Sequence, residues 1–398
     1  MPLKRSNTSE SEGVDSSDAK KSKMPSETEK FLTLLESETD FALDLLRQQD
    51  ITKPLVFSPL SIALALSLAH AAAKGETRNE IKNALVKGAT DEELEKYFAE
   101  VSAALLGAEN GTKVNIASQI FTREEFPIRK SFLNNVKKLY NAGVTPLDFS
   151  DKDESAEFVN EYVWKNTMGK IQDFVGPSSF SDDTSAIIVN AIYFKARWLH
   201  IFECYLSTGD YFVSENETRT VSYMRDAYVN RYYVENDEFQ VLSLPYQDET
   251  YAMHIFLPKQ RFGLEDAIKN LDGSKIQKLL SGLQITYMHL KIPKFKIESS
   301  FNLNSALKSL GIKKAFERFA ADFGNIGHFV QEMCIDDVSH SAIIEVDQRG
   351  TVAAAVTKIT LCGGGGLPSE PEVKFMADHP FLYMLTKDNH PLFVGLHY

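Results

Sequence analysis

Apolar positions change period several times along the chain, and each change marks an element. Between 31 and 46, Phe31, Leu34, Leu35, Phe41, Ala42, Leu45 and Leu46 recur at helical spacing, which predicts an amphipathic opening helix. Ser58 followed by Pro59 is a strong helix start, a serine cap with proline at the first helical position. The body from Leu60 to Ala73 is apolar nearly all round, so this helix is expected at the centre of a domain, with Gly75 ending it in a left-handed cap. Thr77 with Glu80, and Thr90 with Glu93, have the spacing of capping boxes and predict two surface helices. In the second of these, Leu94, Phe98, Val101 and Leu105 mark the inward face. Residues 114–121 alternate like a strand, and helices are expected around 130–140 and 153–167. The run Ile187 to Phe194 is too uniformly apolar for an edge strand and belongs in the middle of a covered sheet. Strand-like, turn-rich segments continue to Pro293, and Leu303, Leu307 and Leu310 before Gly311 predict one more short helix.

The segment from His340 onward breaks its own pattern. His340, Ala342, Ile344 and Val346 alternate with Ser341, Ile343, Glu345 and Asp347, the period of a half-buried strand. Gly350 then makes a hinge, and Thr351, Ala353, Ala355 and Thr357 fall on one strand face, with Val352, Ala354 and Val356 on the other. Cys362 and the glycines 363–366 follow, a composition suited to an exposed loop. A loop thus carries the side chains of a strand that could be buried in a sheet.

Specific motifs surround it. Glu345-Val-Asp-x-x-Gly350-Thr351-x-Ala-Ala-Ala resembles the hinge of the serpins, the serine protease inhibitor fold. Phe375-Met-Ala-Asp378-His379-Pro380-Phe381 and Leu392-Phe393-x-Gly395 resemble its C-terminal strands. Upstream, Phe57-Ser58-Pro59-x-Ser61-Ile62, Asn160 with Gly169-Lys170-Ile171, Val189 to Lys195 with Trp198, and Pro293 to Glu298 follow in the family's order, over roughly residues 28–398.

The resemblance implies an α+β serpin fold: three β-sheets, about eight or nine helices and an exposed reactive-centre loop. Residues 26–398 would form one domain, with hinge and loop at about 347–370, behind a disordered polar tail at 1–25. It makes Gly350, Thr351, Val352, Ala353, Ala354, Ala355, Val356 and Thr357 the hinge that inserts into the main sheet. It places Ser58, Ser61, Asn190 and His340 in a polar cluster beneath the centre of that sheet, and Trp198 near its top, where insertion begins. Taken alone, a serine at a helix start is a cap, a strand histidine is a satisfied core residue, and Trp198 is core packing. The implied function is suicide-substrate inhibition of a serine endopeptidase, with a cysteine endopeptidase as the second class and a non-inhibitory carrier or chaperone as the alternative. The cut bond is placed differently by different counts. Counting from Gly350 gives Gly364–Gly365, counting back from Pro371 gives Leu367–Pro368, and Leu361–Cys362 and Cys362–Gly363 are fallbacks. Departures from the family pattern at Pro54, Ala196, Ser341, Gln348, Arg349 and Val352 leave the small-residue hinge in place.

Composition narrows partners. At 398 residues with 43% hydrophobic and 25% charged content the chain can bury a large core, and a net charge of −12 argues against nucleic acid and anionic membranes as partners. The expected partner is a target endopeptidase held covalently by a monomeric inhibitor. Residues 1–25 show no apolar signal-peptide core, and Lys4-Arg5 with Lys20-Lys21 and Lys23 resemble a two-part nuclear import signal, set against the plainer reading of a solvated tail. Cys204, Cys334 and Cys362 are odd in number and lack metal spacing, so a cytoplasmic or nuclear location is expected over secretion, with no cofactor and no metal. No Gly-x-Ser-x-Gly elbow, His-Glu-x-x-His pair or phosphate-binding glycine loop with its lysine is present, and nothing orients Cys362 toward a histidine base, so catalysis is not expected.

Overall fold

The structure is a computed structural model that describes residues 26–108, 110–140, 142–202, 209–327, 332–351 and 373–398. The first half runs α1 (Glu27–Arg47), β1 (Leu55–Phe57), α2 (Pro59–Ala72), α3 (Gly75–Leu85), α4 (Asp91–Leu106), β2 (Lys113–Arg123), α5 (Lys130–Tyr140), β3 (Gly143–Leu147), α6 (Lys152–Asn166) and β4 (Ala186–Arg197). Then come β5 (Gly209–Val213), β6 (Thr218–Glu235), β7 (Phe239–Pro245), β8 (Tyr251–Pro258), α7 (Leu264–Asn270), α8 (Gly273–Ser281), β9 (Gln284–Pro293), β10 (Phe295–Asn302) and α9 (Asn304–Ser309). The chain closes with β11 (Asp337–Asp347), β12 (Gly350–Thr351), β13 (Val373–Met376), β14 (Phe381–Lys387) and β15 (His390–His397).

Two hydrogen-bonded sheets hold these strands. One has the order β10-β11-β12-β4-β2-β3, with β11 also paired directly to β4. The other runs β1-β15-β14-β8-β7-β6-β9-β13, with β5 on the side of β6. A bulge in β6 between Asp226 and Val229, with Tyr228 at φ 59°, divides this second sheet. On one side lie β5 and β13, on the other β7, β8, β14, β15 and β1, giving three sheet regions in all.

The six-stranded sheet is covered on both faces, which is why β4 reads as a continuous apolar run. Ile188, Ile192 and Phe194 join the main core, which includes the fully buried α2. Ile187, Val189 and Ala191 join a second core with Ala156, Val159 and Val163 of α6. Ser58 caps α2 by accepting from the Ser61 amide, Pro59 takes the first turn, and Thr90 with Glu93 forms a complete capping box on α4.

Two local expectations are corrected. Thr77 and Glu80 do not cap a helix: α3 begins earlier, at Gly75, whose φ of 53° fits it to a helix junction. Thr77 Oγ1 instead accepts from the Asp322 amide, and Glu80 accepts from the amides of Lys313 and Lys314, so distant backbone took the groups that spacing had assigned locally. The second concerns β11, which is buried on both faces around Ser341 and Ile343 rather than on one, because Ile343 packs into the core beneath α6.

Candidate functional site: a sheet seam and the start of its hinge

The parallel pairing of β4 with β11 is the seam of the six-stranded sheet. It runs from Ile187 with Asp337 to Tyr193 with Ile343 and places Asn190 beside His340. Asn190 and His340 share the face with Ile188 and Ile192, so both point at the N-terminus of α2. His340 Nδ1 donates to Asn190 Oδ1 at 2.7 Å, and His340 Nε2 accepts from the Ser58 amide at 3.0 Å. Ser61 Oγ donates to the same Asn190 Oδ1 at 2.7 Å, and Asn190 Nδ2 donates to the Ser61 carbonyl at 2.9 Å. The four residues are buried, and burial pushes the His340 pKa down to about 3, so the ring is neutral and can take this tautomer. Satisfied in this way, a polar cluster in a dry core holds strands and helix in one arrangement.

At the upper end the seam is no longer a direct pairing. Gly350 and Thr351 lie between β11 and β4, with Thr351 opposite Val346 on one side and Ala196 on the other. Gly350 has φ 154°, and a Cβ there would stand 2.1 Å from the Ala196 carbonyl oxygen, so only glycine fits this entry. Thr351 is fully buried, and its Oγ1 lies 2.7 Å from the hydroxyl of Tyr246. Trp198 stacks on Tyr246 with ring centroids 4.4 Å apart and 19° between planes. Its Nε1 donates to the Asp347 carbonyl at 2.8 Å, and its amide to the Arg349 carbonyl at 2.9 Å. Asp347 Oδ1 accepts from the amides of Arg349 and Gly350, closing the turn that sends the chain back into the sheet.

Residues 36–398 match the sequence profile described as Serpin (serine protease inhibitor). Serpin B8 of Bos taurus is 31% identical over 91% of this chain and 98% of its own length. The chain belongs to the serpin family. The leukocyte elastase inhibitor of Xenopus laevis is 30% identical over 87% of this chain and 93% of its own. The crystal structure of Serpin48, described as a highly specific serpin in the insect Tenebrio molitor, aligns with a TM-score of 0.81 at 28% identity, covering 94% of this chain and 98% of that one. Members of this family form complexes with target proteases, and the α+β serpin fold expected from the motifs is the fold observed.

The serpin structure brings Ser58, Ser61, Asn190 and His340 together and sets Trp198 against the turn at Asp347 and Arg349 that leads into β12. Val352, Ala353, Ala354, Ala355, Val356 and Thr357 lie outside the described residues, as do Leu361, Cys362, Gly364, Gly365, Leu367 and Pro368. Of the cysteines, Cys334 is free and buried, while Cys204 and Cys362 also fall outside. Sequence reasoning missed Tyr246. Leu244-Pro245-Tyr246 looks like the end of any buried strand, and the only signal was an aromatic just after a strand, which ordinary core packing explains equally well.

Proposed function

We propose that this serpin is inhibitory, a suicide-substrate inhibitor of a serine endopeptidase, with the cysteine class second, and that it acts without catalysis of its own. The observation that carries the reading is Thr351, buried in the seam with a partner strand on each side, above a stretch where β4 and β11 still pair directly. Continued in the same register, Ala353 would fall between Ile344 and Phe194, and Ala355 between Ala342 and Ile192. Thr357 would fall between His340 and Asn190. The inward positions are small where the core is apolar, and a hydroxyl arrives at the polar cluster. Nothing charged or bulky blocks entry at these positions.

In this mechanism the protease attacks a bond in the 352–372 segment, with Gly364–Gly365 the first choice and Leu367–Pro368, Leu361–Cys362 and Cys362–Gly363 the alternatives. Cleavage frees the hinge, the His340–Asn190 contact parts, and the freed strand enters between β11 and β4. Each inserted residue gains ladder hydrogen bonds on both sides and buries alternate side chains. Insertion from Thr351 to Gly364 at about 3.3 Å per residue would carry the acylated protease on the order of 45 Å, which distorts its active site. The uncleaved fold is then a kinetic trap rather than the state of lowest free energy.

A panel of serine and papain-like proteases tests this. The expected result is an SDS-stable complex with at least one of them, and mass spectrometry of the released C-terminal peptide identifies the cut bond. Cleavage by all of them without any complex would favour the carrier or chaperone reading. The protein is proposed to act as a monomer in the cytoplasm or nucleus, where Cys334 stays reduced. Recovery of a disulfide from natively purified material would move it outside the cell.

A further inference from the structure

The first residue in the seam is gripped by a side chain that belongs to neither flanking strand. Tyr246 follows β7, is fully buried, and reaches across to Thr351 with its hydroxyl 2.7 Å from Oγ1. It has no freedom to follow a moving hinge. Its ring is stacked on Trp198 and met edge-on by Phe194 at 5.2 Å, its amide donates to the Tyr251 carbonyl, and it bridges to Trp198 through the backbone. Trp198 in turn holds the incoming arm of the turn through Asp347 and Arg349. The two aromatic residues therefore clamp the turn from both sides, and Tyr246 hydrogen-bonds the side chain of the residue that would enter first.

We infer that Tyr246 is a positioning residue for loop insertion: it registers the first inserted side chain and demands a hydroxyl there. The inference rests on the insertion reading proposed above. A phenol in a dry core is costly without a partner, and so is a threonine hydroxyl, so each makes the other's position favourable. With Thr351 held in register before cleavage, the new strand has already begun and grows from a seated end. Without that contact the strand must nucleate while the acyl bond is exposed to hydrolysis, and more inhibitor is lost as cleaved substrate.

Tyr246→Phe, Thr351→Val, Thr351→Ser and the double variant Tyr246→Phe/Thr351→Val test this beside the unaltered chain. The first readout is amide hydrogen exchange of segment 346–351 in the intact protein. Each single removal of a hydroxyl is expected to speed exchange there about fivefold, the factor that one buried hydrogen bond is worth. Thr351→Ser should exchange like the unaltered chain. The double variant should return to within about twofold of it, because neither partner is left unpaired. The second readout is the number of inhibitor molecules consumed per protease trapped, which should rise in both single variants and not in Thr351→Ser. Unchanged exchange in Tyr246→Phe, or effects that simply add in the double variant, would overturn the assignment. If the exchange pattern holds while the unaltered chain traps no protease, the inhibitory reading fails and Tyr246 still stands as the residue that positions the hinge.

Discussion

His340 and Asn190 are register partners across the seam of the six-stranded sheet, and their side chains are joined by a 2.7 Å hydrogen bond. In the proposed mechanism this bond crosses the line along which the sheet would open for a strand to enter. His340 Nε2 and the Asn190 amide are each also partnered on the α2 side, through Ser58 and Ser61, so parting the strands would cost the bond from His340 Nδ1 and leave these in place. A hydroxyl from an inserted Thr357 would then replace the lost contact.

Stability should fall in mild acid. Burial pushes the pKa of His340, His254 and His397 down to about 3, and that of His70 to about 4. Unfolded imidazoles titrate near about 6.5, so below that pH the unfolded chain binds protons that the folded chain refuses. The contribution of these residues is complete above about pH 6.5 and is lost as pH falls, toward about 4 for His70 and about 3 for the other three. At the steepest, each histidine costs about 1.4 kcal/mol per pH unit. Unfolding midpoints measured at fixed scan rate should be level from pH 7 to 8 and drop below 6.5; midpoints that rise on acidification would contradict this.

Thr351→Arg should convert the inhibitor into a substrate. The position is fully buried between two strands, and an unpaired guanidinium there is too costly to seat. The hinge would stay out, the fold would survive, and cleavage would no longer be followed by trapping. Gel analysis against a trapped protease reads the outcome directly, and an unchanged yield of complex would mean that Thr351 does not enter the sheet with the loop.

Nicking should raise heat resistance. The intact protein is expected to melt in the range of mesophilic domains, about 45–65 °C. Cut anywhere between Leu361 and Pro368, it should gain on the order of tens of degrees, because on the proposed insertion the stretch from Val352 to Leu361 would join Thr351 in acquiring ladder bonds on both sides and Val352, Val356 and Ile359 would find packing partners. A hinge that never inserts would leave the two melting curves superimposed, which makes this the comparison that separates the inhibitory from the carrier reading without a known target.

His397→Phe should stabilise the fold. Among the described residues both ring nitrogens of His397 are buried without a hydrogen-bond partner, and the ring centroid lies 4.8 Å from that of Phe212, 5.0 Å from Phe295 and 5.1 Å from Phe381. A phenyl ring of similar shape removes the buried polar groups, a gain of about 1 kcal/mol or more. The melting midpoint should rise by a few degrees, most visibly below pH 6.5, where the native histidine is also penalised by linkage.

Local chemistry alone determined much of this protein. The all-round apolar stretch of α2 made it central, the Thr90–Glu93 box started α4, and the uniform run of β4 required a sheet covered on both faces. The small, alternating residues after Gly350 carry the expectation of a strand because side-chain size and alternation are properties of the chain itself, and of them the described residues include Thr351, which pairs in the sheet. What the chain could not express locally was partnership over long separations. Thr77 and Glu80 have the spacing of a cap, yet their hydrogen bonds went to backbone more than two hundred residues away. Tyr246 and Thr351 stand 105 residues apart, and neither carries any mark of the other until β7, β4 and β11 are packed together. A buried hydroxyl takes whichever partner the folded core sets beside it, so the tertiary structure alone decided which tyrosine meets Thr351.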